Sequence, residues 1–392
     1  MPLQCGTAAY SERVSDPSYS LTWPRELFVW EADRVLALPG NIEVANGIAT
    51  LLREAFADAD VEAEFQRQTS ADALSDVWDT KTAVSITTSA TDWFQAVLNR
   101  ANQFRPYQSP VYFAQRAGLT EPIEEPTITL ADGVVNLIKE MQYLGYFPKI
   151  LPKECVDEGD ISEEWLGVQI ARAIGHRVQW PLHYNSPPLD VSEPILFSLI
   201  EFFHDQAQRP RTSWWHSFNE CGFHYQQFNR ESGGVVYRWR MNELLATHGS
   251  TFRLAREGAQ RGRLVRTFSA SLDTTLEQVV VERREMSPED EVANAIELFR
   301  SRDATAQTKR AALTVLANHL EPRRGRIRSA TTKNDEAYLF DIANNFAIRH
   351  RNDHQRQDYG PEYLDWLFVN YLGMIQLIDS LDSREGQPSK RI

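Results

Sequence analysis

The sequence predicts a mostly α-helical protein that ends in an antiparallel four-helix bundle. Apolar residues recur at helical spacing through several long segments, and clear strand signals are confined to one short stretch near residues 251–268. From Ser287 onward every segment has a helical pattern, and the connections are short, which is typical of a bundle. The 392 residues, 42% hydrophobic and 24% charged, suffice for two or three globular domains.

Residues 1–230 are predicted to form a mainly helical N-terminal domain of unknown type. Its first 40 residues contain prolines and aromatic residues and predict irregular structure. The segment 105–126 contains prolines and predicts a loop. Helical patterns cover 42–57, 130–147, 162–178 and 192–206.

Residues 231–285 predict a short helix and a β-hairpin, in which the strands TFRLA and RLVRTF flank the turn REGAQRG. The hairpin region is basic, with arginines at positions 253, 256, 261, 263 and 266. Two interpretations remain open. The segment is either a small wing or a solvated hairpin that packs on a neighbouring domain.

Residues 286–385 predict the bundle. Ser287 is the expected N-cap of its first helix, and the second helix covers about 304–320. EPRRGRIRSA predicts a basic loop before the third helix, which begins near Thr332, and the fourth begins after Gly360. The fourth helix is apolar on nearly all sides, which predicts that it is either central in the bundle or contributes to a second interface. Its apolar residues are Tyr363, Leu364, Trp366, Leu367, Phe368, Val369, Tyr371, Leu372, Met374 and Ile375.

The net charge of -13 would repel a polyanion, so nucleic-acid binding requires a local basic patch. Residues 304–357 contain ten Lys and Arg against five Asp and Glu, and they are a candidate for such a patch. The expected phosphate-binding residues are Arg323, Arg324, Arg326, Arg328, Arg351 and Arg356.

Within this patch, Arg349, His350 and His354 have the residue types needed to cut RNA. The RNA's own 2′-hydroxyl can attack the adjacent phosphorus if a base, an acid and a cation assist. Histidine titrates near neutral pH and suits the first two roles, and arginine holds a phosphate bidentately. The alternative is an ordinary helix end, with an Arg349–Asp353 surface pair and histidines that compensate the helix dipole.

The segment NDEAYLFDIANNFAIRHRNDHQRQDY and the following helix resemble the HEPN superfamily of helical bundles. Its nucleases carry an Arg-x4-6-His motif, often with a polar residue after the arginine. Arg349, His350 and His354 match that pattern. The resemblance implies a metal-independent endoribonuclease without a cofactor, with Arg349, His354 and His350 as catalytic residues. It also implies a homodimer in which two motifs meet in one cleft.

Such proteins often act as toxins or abortive-infection effectors, which implies antiviral defence and an antitoxin or phage-derived trigger. The segment 233–268 also resembles modules that precede such bundles. Family members silenced by tyrosine modification carry a tyrosine two residues after the motif histidine. Arg356 stands there in this chain, and the nearest tyrosine is Tyr359. The competing hypothesis is a non-catalytic HEPN-like module that binds RNA or dimerises beside an N-terminal sensor domain.

The three cysteines, Cys5, Cys155 and Cys221, do not suggest a disulfide framework. Together with the absence of a signal-peptide or membrane-span pattern, they predict a cytoplasmic protein without membrane contact. Cys221 and His224 supply two of the four ligands of a zinc site. No second close pair completes the set, so the sequence favours core packing and predicts no metal.

Overall fold

The computed structural model describes residues 19–69, 89–119, 128–153, 155, 161–183, 186–218, 221–268, 270–345 and 360–386. In these ranges the chain is mostly helical, as predicted, with three two-stranded sheets. The chain divides into two compact units, Met1–Tyr237 and Arg238–Ile392. This boundary divides the expected middle segment, 231–285, between the two units. No helix among the described residues is both long and apolar enough to cross a membrane.

The N-terminal unit contains small sheets among its helices. Its elements are β1 (Ser20–Leu21), α1 (Arg25–Leu36), α2 (Asn41–Ala55), α3 (Asp60–Thr69), α4 (Ala90–Asn99), β2 (Arg105–Pro106), α5 (Phe113–Arg116), α6 (Leu130–Tyr143), α7 (Glu163–Ile174), α8 (Glu193–Gln206), β3 (Arg209–His216), β4 (Gly222–Asn229) and the first half of α9 (Arg230–Thr247). The four predicted helical segments correspond to α2, α6, α7 and α8. The prediction of irregular structure before residue 40 is wrong for α1, which buries Phe28, Ala32 and Val35 on one face.

The β3–β4 hairpin was not predicted from the sequence. Its strands are antiparallel, with Arg209 opposite Asn229 at one end and His216 opposite Gly222 at the other. β3 packs along α2, where the amide of Asn46 donates to the Ser213 carbonyl at 2.7 Å. The hairpin therefore brings residues from the end of the N-terminal unit's sequence against its second helix.

A buried ion cluster lies where β3 begins. The guanidinium of Arg209 is fully buried and donates to Glu54 at 2.9 Å and to Glu31 at 3.0 Å. The Tyr146 hydroxyl donates to Glu54, and the Ser232 hydroxyl donates to Glu31. Burial by itself lowers the pKa of Arg209, but the Glu54 and Glu31 carboxylates hold that pKa above its ordinary value. The cluster ties α1, α2, β3 and α9 together.

The C-terminal unit begins with the second half of α9 and a hairpin. Its further elements are β5 (Phe252–Leu254), β6 (Leu264–Arg266), α10 (Ala270–Met286), α11 (Glu291–Arg300), α12 (Ala306–Leu320), α13 (Arg324–Ala330), α14 (Lys333–Asn345) and α15 (Pro361–Gly386). The predicted β5–β6 hairpin is confirmed. Two expectations are wrong: the basic loop is helix α13, and the N-cap of α11 is Asp290, which accepts from the Ala293 amide, rather than Ser287.

The core of the C-terminal unit forms where α11, α12 and α15 pack together. Phe299 of α11 stacks on Phe368 of α15 with ring centroids 4.0 Å apart, and Phe268 stacks on Phe368 at 5.6 Å. α11, α12, α14 and α15 correspond to the four predicted bundle helices. α10 and α13 add to them, so the unit is larger than four helices.

Candidate functional site

The predicted catalytic motif lies between α14 and α15 in the sequence. α14 ends at Asn345 and α15 begins at Pro361. The predicted site residues of this stretch all lie outside the described residues, namely Arg349, His350, Arg351, His354 and Arg356. Their proposed roles therefore depend on the sequence pattern.

The four other predicted RNA-binding arginines are ion-paired within the C-terminal unit. Arg323 donates to Asp379 at 2.7 Å. Arg326 donates to Asp382 at 2.8 Å and to Glu385 at 2.7 Å. All three carboxylates belong to α15. A phosphate would have to compete with them for these guanidinium groups, so the patch is less available than its sequence composition predicts.

The remaining pair, Arg324 and Arg328, shares one carboxylate. Both guanidinium groups donate to Glu336 of α14, at 2.5 and 2.9 Å, and only 1% of Glu336 is exposed. The hydrogen bonds from Arg328 and Arg324 lower the pKa of Glu336, so this carboxylate stays ionised. The α13 arginines thus stabilise α14, the helix that precedes the motif in the sequence.

Arg253, one of the arginines of the β5–β6 hairpin, also has acidic partners. Its guanidinium lies 2.8 Å from Glu277 and 3.6 Å from Asp273, both on α10. Arg300 of α11 contacts the same Asp273 at 3.0 Å. These contacts favour the interpretation of a hairpin packed on neighbouring helices over that of a wing that presents Arg253 to nucleic acid.

Helix α15 exposes an apolar stripe. Tyr363, Trp366 and Val369 are 41%, 43% and 37% exposed, and Leu377 continues the stripe toward the C-terminal end. The opposite face carries the buried residues Leu364, Leu367, Phe368, Tyr371, Leu372, Ile375 and Ile378. The expectation that this helix has more apolar surface than the bundle core accepts is confirmed. The stripe begins directly after the motif segment in the sequence.

The N-terminal unit brings together four side chains that the sequence did not connect. Cys155, His216, Cys221 and His224, named here the Cys/His cluster, place one potential ligand atom each within 4.8 Å of all the others. Cys155 Sγ lies 3.9 Å from His216 Nδ1, and Cys221 Sγ lies 3.2 Å from His224 Nε2. The prediction that no second pair completes the set of Cys221 and His224 is thus wrong, because Cys155 and His216 supply it.

The β3–β4 hairpin positions three members of the cluster. Its register pairs His216 with Gly222 and Trp214 with His224, so both imidazoles project from the same face. The Trp214 ring stacks on that of His224, with centroids 4.6 Å apart. Gly222 has a φ of +84°, a conformation that favours glycine, and this lets the chain turn directly after Cys221.

Lys153 holds the fourth member of the cluster against the hairpin. Its ammonium donates to the backbone carbonyls of Cys221, at 3.0 Å, and Phe223, at 2.7 Å. The segment that carries Cys155 is thereby tied to the start of β4. Burial lowers the pKa of Lys153, and the electrostatic effect of the neighbouring Cys221 and Cys155 acts in the opposite direction.

No protein-family model, curated protein or solved structure matches this chain.

Proposed function

We propose that the C-terminal unit is a metal-independent endoribonuclease of the HEPN type, with Arg349 and His354 as its main catalytic residues and His350 as an auxiliary one. The observation that carries the proposal is the Arg-His-x3-His pattern of residues 349–354 in a helical sequence context that resembles this superfamily. The location of these residues between two long helices, α14 and α15, supports it.

The residue types suffice for the complete reaction. A neutral imidazole accepts the proton of the RNA 2′-hydroxyl as its oxygen attacks phosphorus. The bond from phosphorus to the 5′-oxygen breaks, and a protonated imidazole donates to the leaving oxygen. The Arg349 guanidinium stabilises the negative charge on the phosphate oxygens. The products are a 2′,3′-cyclic phosphate and a 5′-hydroxyl, and no step requires a metal ion.

We further propose that the active form is a homodimer in which the apolar stripe of α15 contacts a second copy. The exposed Tyr363, Trp366 and Val369 provide apolar surface next to the motif in sequence. A two-fold contact there would place the motifs of both copies near one cleft. By the same resemblance, the expected cellular role is that of a toxin or anti-phage effector.

The competing function is a non-catalytic module that dimerises or binds RNA. The ion pairs of Arg323, Arg324, Arg326 and Arg328 favour dimerisation without RNA contact, because they reduce the positive charge free to follow an RNA backbone. The two functions differ in whether RNA is cut.

The test is incubation of the purified chain with total RNA and with tRNA, with and without EDTA. We expect cleavage in both conditions and products that end in a 2′,3′-cyclic phosphate, because the RNA supplies its own nucleophile. An oligonucleotide with a 2′-deoxy sugar at the scissile nucleotide should resist cleavage. Loss of cleavage in EDTA that Mg²⁺ restores would instead indicate a metal-dependent nuclease, and binding without cleavage would support the competing function.

A further inference from the structure

The Cys/His cluster has the composition and geometry of a metal centre. We propose that Cys155, His216, Cys221 and His224 bind one Zn²⁺ ion, which stabilises the N-terminal unit. This proposal does not depend on RNA cleavage, because all four residues belong to the N-terminal unit and the motif belongs to the other.

The ligand atoms already lie close to the positions that zinc requires. With bonds of about 2.3 Å to sulfur and 2.0–2.1 Å to nitrogen, tetrahedral zinc places its ligand atoms roughly 3.3–3.8 Å apart. Cys221 Sγ and His224 Nε2 are 3.2 Å apart, and Cys155 Sγ and His216 Nδ1 are 3.9 Å apart. All ligand distances are at most 4.8 Å, so closure around an ion requires only small movements of side chains.

The ligand set favours zinc over the hard ions Mg²⁺ and Ca²⁺. Two thiolates and two imidazoles suit Zn²⁺, whereas Mg²⁺ and Ca²⁺ prefer oxygen ligands. Four protein ligands complete a tetrahedron and leave no position for water or substrate. The site therefore fits a structural role rather than a catalytic one.

Contacts with neighbouring residues hold the proposed ligands in place. Lys153 fixes the Cys155 segment to the hairpin, and Trp214 fixes one face of the His224 ring. The ion would join Cys155, which follows α6, to the hairpin about sixty residues later, and would close a long loop that contains α7 and α8. A crosslink over a long loop restricts the unfolded chain and so favours the folded unit.

Metal analysis of the full-length protein tests the proposal. We expect about one zinc per chain in the wild type and close to none in Cys155→Ser or Cys221→Ser, because each variant removes one thiolate. His183→Ala is the matched control, since His183 is exposed and outside the cluster. It should retain the wild-type metal content. Equal zinc in the control and in both cysteine variants would overturn the assignment.

Measurements on the wild-type protein test the proposal even if a cysteine variant fails to fold. After removal of the metal at low pH, the thermal midpoint should fall, and stoichiometric Zn²⁺ should restore it. Co²⁺ in place of Zn²⁺ should give the visible absorption of a tetrahedral thiolate complex. In native mass spectrometry, binding should add one zinc and remove two thiol protons. A chain that binds neither ion, or whose cysteines are joined in a disulfide, would contradict the proposal.

Discussion

Replacement of Arg209 by methionine is expected to lower the free energy of unfolding by about 3–5 kcal/mol, because it leaves Glu31 and Glu54 without their buried cation. Arg209 and Glu31 are fully buried, and Glu54 is nearly so, so water cannot replace the lost interactions. The methionine side chain is similar in length to the aliphatic part of arginine. The loss of charge, rather than the loss of volume, should therefore dominate the change in the free energy of unfolding. Urea denaturation of the wild type and the variant measures the difference.

Arg326→Met is the matched control for Arg209→Met. Arg326 also pairs with two carboxylates, but its partners Asp382 and Glu385 are exposed, so the control should change the stability little. A second variant separates charge from packing. Arg209→Met combined with Glu31→Gln and Glu54→Gln should recover part of the loss, because the two carboxylates that Arg209 compensated become neutral amides. If Arg209→Met is no less stable than the control, the cluster does not support the fold.

The helices with a regular apolar period could be predicted from the sequence, and those whose order depends on distant partners could not. α8 and α12 have apolar faces that are visible in a short window of residues. α13 looks like a charged loop, because its sequence contains Gly325, follows Pro322 and is rich in arginine. Arg324 donates a hydrogen bond to Glu336 of α14. Arg326 donates to Asp382 of α15, which lies 56 positions later in the sequence.

The Cys/His cluster escaped prediction for a similar reason. Cys221 and His224 are three positions apart, but Cys155 lies 61 positions before His216. The β3–β4 hairpin and the Lys153 contacts bring these segments together. A signal was nevertheless present, because Gly222 between a cysteine and an aromatic strand indicates a tight turn. If β3 and β4 had been predicted, His216 would have been placed beside His224.

Arg349→Ala and His354→Ala are each expected to reduce RNA cleavage by at least about 10²-fold while leaving the protein folded, because each removes a group that acts on the reacting phosphate. His350→Ala should have a smaller effect, since its role follows from spacing alone. Arg326→Ala is the control within the predicted RNA-binding set. Its guanidinium is held by α15, so cleavage should stay near the wild-type rate. Cleavage is measured with the same RNA and protein concentration for all four variants, and circular dichroism checks their folding.

Full activity of the Arg349→Ala, His354→Ala double variant would remove the basis for the proposed nuclease. A loss of cleavage in Arg326→Ala equal to that in Arg349→Ala would show that the α13 arginines, despite their ion pairs, belong to the RNA-binding surface. In that case the basic patch predicted from the sequence would be functional.

Mixing inactive subunits tests whether two chains share one cleft. A dimer of Arg349→Ala and His354→Ala subunits keeps one arginine and one histidine, so a composite cleft should regain part of the wild-type activity, while either variant alone stays inactive. Trp366→Glu places a charge in the exposed apolar stripe of α15 and should weaken the dimer without disturbing the bundle core. It should therefore abolish both dimerisation, measured by light scattering, and the regained activity. A monomer that cleaves RNA at the wild-type rate would refute the shared cleft and leave His350 and His354 of a single chain as the acid and the base.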